Sequence, residues 1–175
     1  MILTTARLRL RPWQESDFAP FAALNADPQV MEHFPSVRTR EESDAEAGRI
    51  IAGLESRGWG FWAVEVVGGE PFIGCTGLSV PKFEAHFTPC TEVGWRLARS
   101  AWGHGFATEA ARAALAFGFG ELGLQEIVSF TAVSNVRSQA VMERLGMRRD
   151  GEFDHPRIAE GSPVRRHVLY RLSSP

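Results

Sequence analysis

A glycine-rich turn between a strand-like segment and an alanine-rich segment constrains this chain more than any other feature. The turn spans residues 101–109 and reads AWGHGFATE. A strand pattern precedes it from Thr91 to Leu97, and a helical pattern follows it to about Phe119. Small residues at alternate positions leave backbone N–H groups uncovered at the positive end of a helix dipole. The turn therefore predicts an anion site, and above all a site for a pyrophosphate.

Two known phosphate-binding patterns fit this turn poorly. A P-loop requires G-x-x-x-x-G-K-[ST], and the sequence contains no such string. A dinucleotide-binding fold requires G-x-G-x-x-G/A, but Thr108 occupies the third small position and Glu126 begins the next strand instead of ending it. A plainer alternative is that Gly103 and Gly105 only make a tight turn and that water caps the helix.

The composition is that of an ordinary globular domain. The chain has 175 residues, 44% of them hydrophobic and 23% charged, which predicts one domain spanning residues 1–175. A net charge of -2 and a pI near 6.2 argue against a nucleic-acid partner. No apolar run approaches the ~20 residues that cross a membrane. Cys75 and Cys90 are too few for a disulfide framework, and no histidine spacing indicates a metal site. Since the N-terminal segment also lacks an apolar signal-peptide core, we expect a cytoplasmic protein without a metal.

Hydrophobic periodicity and turn residues predict alternating strands and helices. Helices are predicted from Ser16 or Asp17 to Asn25, from Glu41 to Ser56, from the glycine turn to Phe119, and from Asn135 or Ser138 to Leu145. Strands are predicted at residues 7–12, 60–67, 71–82, 91–97, 126–133, 147–153 and 164–172. These elements predict an α/β or α+β domain. Its sheet is expected to be mixed, mostly antiparallel and six- to seven-stranded, with helices on both faces.

The glycine turn resembles the acyl-CoA pyrophosphate loop of the GNAT superfamily of N-acetyltransferases, usually written [Q/R]-x-x-G-x-[G/A]. Gly105 and Ala107 match the two small positions, and Trp102 stands where the pattern opens with Gln or Arg. A Trp-Gly-x-Gly form is similar to the branch of ribosomal-protein N-terminal acetyltransferases (RimJ/RimL type). The resemblance continues through residues 7–13 (RLRLRPW), 92–95 (EVGW), 107–110 (ATEA) and 135–147. The last stretch is similar to N-x-x-S followed by a helix and a Leu-Gly-Phe ending, with Met147 in place of Phe.

The resemblance implies a single GNAT-like domain and a binding site for acetyl-CoA as co-substrate. Backbone amides of the turn would hold the pyrophosphate, and the end of the strand 91–97 would pair with the pantetheine arm. Asn135 resembles the family asparagine that hydrogen-bonds the pantetheine, although an Asx turn would also use it. Thr108 would either add a hydroxyl or cap the helix. The implied cofactor-binding residues are Trp95, Arg96, Leu97, Trp102, Gly103, His104, Gly105, Phe106, Ala107, Thr108, Asn135 and Ser138.

Acyl transfer to an amine requires a neutral nucleophile, a stabilised oxyanion and a protonated leaving thiolate. An α-amino group, with a pKa of about 7.7–8.0, is partly neutral at pH 7, so a base acting through water is sufficient. Glu92 is the candidate base, its alternative being an ordinary strand glutamate, and His155 is a second candidate. By resemblance Ser138 is the candidate acid near the CoA sulfur, and it can also cap the following helix. Tyr170, the only tyrosine, is expected far from that motif.

Three further features have competing interpretations. Cys75 lies mid-strand without a nearby histidine, which favours a core residue over an acyl-cysteine intermediate. Glu109 suits the first turn of its helix and is expected to pair with Arg112. Arg137 and Arg144 are candidates for the 3′-phosphate of CoA, or else ordinary solvated arginines.

The acceptor is expected to be a primary amine and, by resemblance, the N-terminal amine of a protein or peptide. Two alternatives stay open: a small-molecule amine such as a polyamine, amino acid or antibiotic, and a catalytically silent acyl-CoA-binding module. The family places the acceptor beside segments 27–40 and 154–163, where Glu32, Asp154 and Glu160 are candidates to attract a cationic amine. An acidic groove would favour a polyamine or aminoglycoside, and an open, neutral cleft would favour a peptide. No membrane partner is expected, and the chain is either a monomer or a homodimer.

Overall fold

Eight strands pair into one mixed sheet in the computed structural model, which describes residues 1–175. The strands are β1 (Leu3–Thr4), β2 (Leu8–Arg11), β3 (Phe61–Val66), β4 (Gly74–Ser79), β5 (Glu92–Leu97), β6 (Glu126–Ala132), β7 (Arg148–Asp154) and β8 (Arg166–Ser173). Their order across the sheet is β1-β2-β3-β4-β5-β6-β8-β7. All neighbouring strands are antiparallel except β5 and β6, which are parallel.

The sheet confirms the predicted fold class but has eight strands rather than six to seven. The additional strand is β1, in which Leu3 and Thr4 pair with Leu10 and Arg9 at the edge of the sheet. A strand of two residues is too short to show the alternation from which strands are predicted.

Four α-helices connect the strands: α1 (Phe18–Ala26), α2 (Arg40–Arg57), α3 (Phe106–Gly120) and α4 (Val136–Arg144). Helix α2 begins with a capping box, because the Thr39 hydroxyl accepts from the Glu42 N–H while the Glu42 carboxylate accepts from the Thr39 N–H. It ends at Gly58, whose left-handed φ of 77° closes the last turn. None of the four helices combines the length and apolar character that crossing a bilayer requires.

One predicted helix cap is wrong, and the structure decides between two alternatives for another. Asp17 directly precedes α1 but does not cap it, because its carboxylate accepts hydrogen bonds from the Arg11 guanidinium and the Gln14 N–H. Helix α4 is capped by Asn135, whose side-chain oxygen accepts from the Ser138 N–H at 3.2 Å. Ser138 therefore lies inside the first turn of α4, and its hydroxyl is not used as the cap.

Helices cover both faces of the sheet, as predicted. On one face the main core joins α3 and α4 to alternate strand residues such as Leu8, Trp62 and Val93. On the other face a smaller core joins α1 and α2 to the intervening residues, including Ala63 and Cys75. The strand alternation therefore assigns successive residues to opposite faces, and the same rule places Glu92, Gly94 and Arg96 of β5 on the face opposite α3.

The sheet opens between its two parallel strands. Strand β5 is paired with β4 along its whole length, from Glu92 to Leu97, but it faces β6 at the single pair Glu92–Val128. Beyond that pair one bridge remains, the hydrogen bond of 2.9 Å from the Ser129 hydroxyl to the Val93 carbonyl. The C-terminal half of β5 is thus free of a strand partner on its β6 side, which produces a wedge-shaped gap in the sheet.

Candidate active site

A cleft of about 1360 Å³ occupies the gap between β5 and β6. The glycine turn and the start of α3 form one end, α4 forms a side, and the segments that follow α1 and β7 form the other end. Eleven of the twelve predicted cofactor-binding residues line this cleft: Trp95, Arg96, Leu97, Trp102, Gly103, Gly105, Phe106, Ala107, Thr108, Asn135 and Ser138. The exception is His104, an exposed residue whose ring stacks on Phe106 with 5.5 Å between the ring centroids.

The glycine turn presents unpaired backbone donors to this cleft. Gly103 and Gly105 have left-handed φ angles of 78° and 79°, a conformation that residues with a Cβ rarely adopt. The N–H groups of Gly103, His104 and Gly105 bond to no backbone carbonyl, and those of Phe106, Ala107 and Thr108 at the start of α3 have no intrahelical partner. A Cβ at Gly103 would meet no atom within 4 Å, so the space above the turn is open. Free donors, open space and a helix N-terminus together form a cradle for an anion.

Trp102 holds the turn against the end of β5. Its indole N–H donates to the Leu97 carbonyl at 3.0 Å, and the Arg137 guanidinium lies 4.7 Å from the centre of its ring. Trp102 therefore bridges β5 and α4, the two elements on opposite sides of the gap. The hydrogen-bonding groups of Thr91, Val93 and Leu97 point to the β6 side of the strand, and the Leu97 carbonyl is already occupied. Trp95 is therefore the residue on this edge whose backbone is open to a ligand.

The side chain of Arg96 points away from the glycine turn. Its guanidinium donates to Asn25 at 2.7 Å and pairs with Glu46 at 3.1 Å, and it lies 4.6 Å from the centre of the Phe34 ring. These partners belong to α1, α2 and the segment between them, on the face of the sheet that carries Glu92. The backbone N–H and carbonyl of Arg96 point toward Cys75 of β4, because these groups alternate sides along a strand, so Arg96 offers no backbone group to the gap.

Asn135 and Ser138 form a small polar cluster at the start of α4. The Asn135 amide donates to the Thr131 hydroxyl at 2.9 Å and to the Ser138 hydroxyl at 3.1 Å. Because the Ser138 oxygen only accepts in these contacts, its hydroxyl hydrogen has no acceptor in the protein. Ser138 lines the cleft and retains a free donor there.

Tyr170 lies nearer to this motif than the sequence suggests. It is buried beneath α4, where its hydroxyl donates to Glu143 at 3.2 Å and lies 3.4 Å from Gln139. The expectation that it lies far from the 135–147 motif is therefore wrong. Burial and the Glu143 carboxylate raise its pKa, and the hydroxyl does not line the cleft.

Glu92 is the one unpaired carboxylate in the cleft lining. The only other lining carboxylate, Glu46, is paired with Arg96. Burial raises the pKa of Glu92 to about 8, an effect that the hydrogen bond of 3.2 Å from the Ser79 hydroxyl partly opposes. A carboxyl group of this pKa exchanges its proton near neutral pH, which is the range a general base needs.

Two other candidate nucleophiles or bases are held in their neutral forms. Burial, with the nearby His167 and Arg157, lowers the pKa of His155 to about 4, so its imidazole is neutral at physiological pH. Burial raises the pKa of Cys75 to about 12, so the thiol does not ionise and behaves as a core residue. His155 nevertheless lines the cleft, 4.6 Å from Phe83 and 5.0 Å from His167 between ring centroids.

The acidic residues predicted to attract a cationic acceptor lie outside the cleft. Glu32 approaches His33 at 3.7 Å, Asp154 pairs with Arg166, and Glu160 is almost fully exposed. The charged lining near Glu92 is instead basic, with Arg38 and Arg157 contributed by the same two segments. Sequence reasoning missed these two arginines because nothing in the pattern shows which loop side chains turn inward.

A second, smaller cleft of about 430 Å³ borders the glycine turn on its outer side. Arg7, Arg112 and Arg144 line it together with Gly105 and Glu109. The i+3 spacing predicted a pair between Glu109 and Arg112, and this prediction is wrong. Glu109 pairs with Arg7 at 2.6 Å and accepts from the Thr5 hydroxyl at 2.6 Å, which fixes the N-terminal strands to α3.

Comparisons with known proteins agree with this geometry. The family model described as "Acetyltransferase (GNAT) domain" matches residues 7–148. A relative from Aspergillus fumigatus, FsC-acetyl coenzyme A-N(2)-transacetylase, is 34% identical over 152 residues, which are 83% of this chain and 64% of that protein. The crystal structure of a GNAT-family acetyltransferase from Bacillus anthracis superposes with a TM-score of 0.81 at 26% identity, covering 99% of this chain and 98% of the other.

The same fold occurs in RimL, a ribosomal L7/L12 α-N-protein acetyltransferase solved in complex with coenzyme A. Its TM-score is 0.77 at 19% identity, with 99% of this chain and 98% of that chain covered. The family match extends over most of the chain and includes the glycine turn, Glu92, Asn135 and Ser138. This chain therefore belongs to the GNAT family of acetyltransferases.

Proposed function

We propose that this enzyme transfers the acetyl group of acetyl-CoA directly to the N-terminal amine of a peptide or protein, with both substrates bound at once. The observation that carries the proposal is the placement of the open anion cradle at Gly103–Gly105 and the unpaired carboxyl group of Glu92 in one cleft. GNAT domains use acetyl-CoA, and the free donors of the cradle fit a pyrophosphate. A single cleft lets donor and acceptor meet without a covalent enzyme intermediate.

The chain offers matching groups for three parts of the co-substrate. The amides of residues 103–108 would hold the pyrophosphate, and the free edge of β5 at Trp95 would pair with the pantetheine arm. Asn135 would bind the same arm from the α4 side. The smaller cleft with Arg112 and Arg144 would take the 3′-phosphate, since both guanidinium groups stand next to the pyrophosphate cradle.

Bound acetyl-CoA supplies a thioester carbonyl as the electrophile. Glu92, in its ionised form, takes a proton from the attacking amine through a water molecule while the C–N bond forms. The Ser138 hydroxyl donates its free hydrogen to the sulfur as the C–S bond breaks. The proton from the amine thus ends on Glu92, and the proton on the leaving thiol comes from Ser138. Solvent then accepts the proton from Glu92 and returns one to Ser138, which restores both groups without a net change in charge.

Two observations favour an α-amine over a more basic amine. The pKa of Glu92, raised to about 8, is close to that of an α-amino group at about 7.7–8.0, whereas a lysine amine at about 10.4 is far less often neutral. RimL, with the same fold, is named as an α-N-protein acetyltransferase. A small-molecule acceptor is the second candidate, supported by the name of the Aspergillus fumigatus relative, an N(2)-transacetylase.

The proposal is tested by thiol release from acetyl-CoA with a panel of peptides, amino acids and polyamines. We expect turnover with peptides that have a free N-terminus and none with N-terminally blocked peptides. Ser138→Ala is expected to slow turnover while the affinity for CoA changes little. An unchanged rate in that variant would refute the assignment of Ser138 as the acid.

The anion cradle is tested separately from catalysis. Gly105→Val forces a β-branched residue to a φ of 79° and is expected to weaken CoA binding measured by calorimetry. Gly68→Val is the matched control, since Gly68 has a φ of 72° in the turn after β3 and lies outside the cleft. Equal CoA affinity in both variants would refute the cradle. CoA binding without turnover on any amine would favour a silent binding module instead.

A further inference from the structure

The part of the cleft around Glu92 is enclosed mainly by apolar and aromatic side chains. We call this part the acceptor half; it lies on the face of the sheet opposite α3. Phe34 and Phe61 lie on the side of α1 and β3, and Phe130 and Ile158 lie on the side of β6 and the loop after β7. These side chains can pack against an apolar part of the acceptor next to its amine. Any charged group of the acceptor must be bound by other residues.

The acidic groups of the acceptor half carry little negative charge at neutral pH. Glu46 is neutralised by its ion pair with Arg96. Burial raises the pKa of Glu92 to about 8, so at pH 7 this group is mostly protonated in the absence of substrate. Even when Glu92 is ionised, it is the only unpaired carboxylate in the acceptor half.

Two arginines of the cleft lining, Arg38 and the exposed Arg157, have no acidic partner. Arg38 lies in the segment between α1 and α2, where its backbone N–H donates to the Asn25 carbonyl at 2.8 Å, and its guanidinium forms no ion pair. Arg157 lies in the loop between β7 and β8, where it donates to the Lys82 carbonyl and also has no carboxylate partner. Because His155 and His167 are neutral, these two cations outnumber the available carboxylate.

We infer that the acceptor carries a carboxylate near its amine and that Arg38 and Arg157 select for it. The inference rests on the proposed acetyl transfer to an amine and narrows the class of acceptor. A guanidinium group binds a carboxylate through paired N–H donors, and an excess of positive charge repels polyamines and aminoglycosides. The carboxylate is either an acidic side chain early in a peptide or the α-carboxylate of a free amino acid.

Matched acceptor pairs distinguish these two sources. One pair is the amidated tetrapeptide Ala-Phe-Glu-Ala and its Gln analogue; the other is phenylalanine and phenylalanine amide, compared per unprotonated amine. We expect kcat/KM to be about tenfold higher for the carboxylate member of one pair, since a charge-assisted hydrogen bond is roughly twice as strong as a neutral one. A preference in the first pair identifies a peptide side chain, and a preference in the second identifies the amino-acid carboxylate.

Arginine substitutions show whether the preference comes from this surface. Arg38→Gln and Arg157→Gln are each expected to reduce the ratio of kcat/KM within the preferred pair by about threefold or more. Arg49→Gln, an exposed arginine of α2 outside the cleft, is the control and should leave the ratio unchanged. Calorimetric titration with CoA verifies that each variant is folded.

The possible failures are distinct. Turnover of amines without preference in either pair, or faster turnover of spermidine than of all four acceptors, overturns the selection for a carboxylate and leaves the acetyltransferase proposal standing. A preference that both arginine variants retain overturns the role of this surface. Absence of thiol release with every amine overturns the proposed function itself, and this inference with it.

Discussion

The hydroxyl of Ser79 donates a hydrogen bond of 3.2 Å to the carboxyl group of Glu92, and this is the only side-chain hydrogen bond that Glu92 makes. One neutral donor compensates only part of the cost of enclosing a carboxylate, which is why the pKa of Glu92 is raised to about 8. Glu92 is thus held near the point of half-ionisation at mildly alkaline pH. The proposed base is consequently tuned by burial more than by a charged neighbour.

We predict that kcat/KM rises with pH and levels off above about pH 8, because only ionised Glu92 accepts the proton. The measurement requires an acceptor whose amine pKa lies below 7, so that the enzyme alone titrates. Glu92→Gln should lower kcat/KM by about 100-fold and remove this limb of the profile. A wild-type profile that is flat between pH 6 and pH 9 would exclude Glu92 as the base.

The raised pKa of Glu92 also predicts how the stability of the protein changes with pH. Between 4.5 and about 8 the folded protein retains the Glu92 proton that the unfolded chain has lost. The native state therefore binds more protons, and the contribution of Glu92 to the free energy of unfolding falls as pH rises through this window. Glu92→Gln should be more stable than the wild type by about 1–3 kcal/mol at pH 8 and by much less at pH 4.5. Urea unfolding at both pH values measures this, with the exposed Glu121→Gln as control.

Trp102 is predicted to support co-substrate binding through its indole N–H. Trp102→Phe keeps an aromatic ring for Arg137 but removes the donor to the Leu97 carbonyl, loosening the turn relative to β5. The loss of one such hydrogen bond, about 1 kcal/mol, should weaken CoA binding about fivefold. Trp59→Phe is the control, since Trp59 lies outside the cleft and its indole makes no side-chain hydrogen bond. Equal CoA affinities in the two variants would contradict the bracing role.

Arg112 is predicted to discriminate CoA from dephospho-CoA. It lines the smaller cleft beside Gly105, and its guanidinium lies 3.4 Å from the Arg144 carbonyl. Wild-type protein should bind CoA about tenfold more tightly than dephospho-CoA, and Arg112→Gln should remove most of that difference. Arg148→Gln, an exposed arginine of β7, should preserve it. If the wild type binds both ligands equally, the 3′-phosphate does not contact this cleft.

Local chemistry explains which parts of the site were predictable from sequence. The left-handed turn at Gly105 and the cap at Asn135 depend on residues within four positions of each other, so the sequence pattern reveals them. The pairing of Glu109 with Arg7 and that of Arg96 with Glu46 join residues 102 and 50 positions apart. Nothing local determines such partners, because they follow from how the strands are ordered in the sheet.

The gap between β5 and β6 also depends on the arrangement of the sheet and not on the local sequence. Each strand has an ordinary hydrophobic pattern, and the divergence after Glu92 and Val128 arises from the packing of the whole sheet. The position of Arg38 and Arg157 at the cleft likewise depends on the fold. The sequence therefore predicted the local structure of the glycine turn and of the start of α4 better than the surroundings of Glu92.

A buried ion pair below the first strands provides the last prediction. Arg11 and Asp17 are 5% and 1% exposed and form two hydrogen bonds, of 2.8 and 2.9 Å. Asp17→Asn leaves the guanidinium charge buried without that partner, with Glu65 as its remaining carboxylate, and should destabilise the protein by about 3 kcal/mol. Asp44→Asn breaks the exposed pair with Arg40 within α2 and should cost about 0.5 kcal/mol. Urea unfolding at pH 7 compares the two variants. Similar losses in the free energy of unfolding would show that burial does not make the Arg11–Asp17 pair more important for stability than an exposed pair.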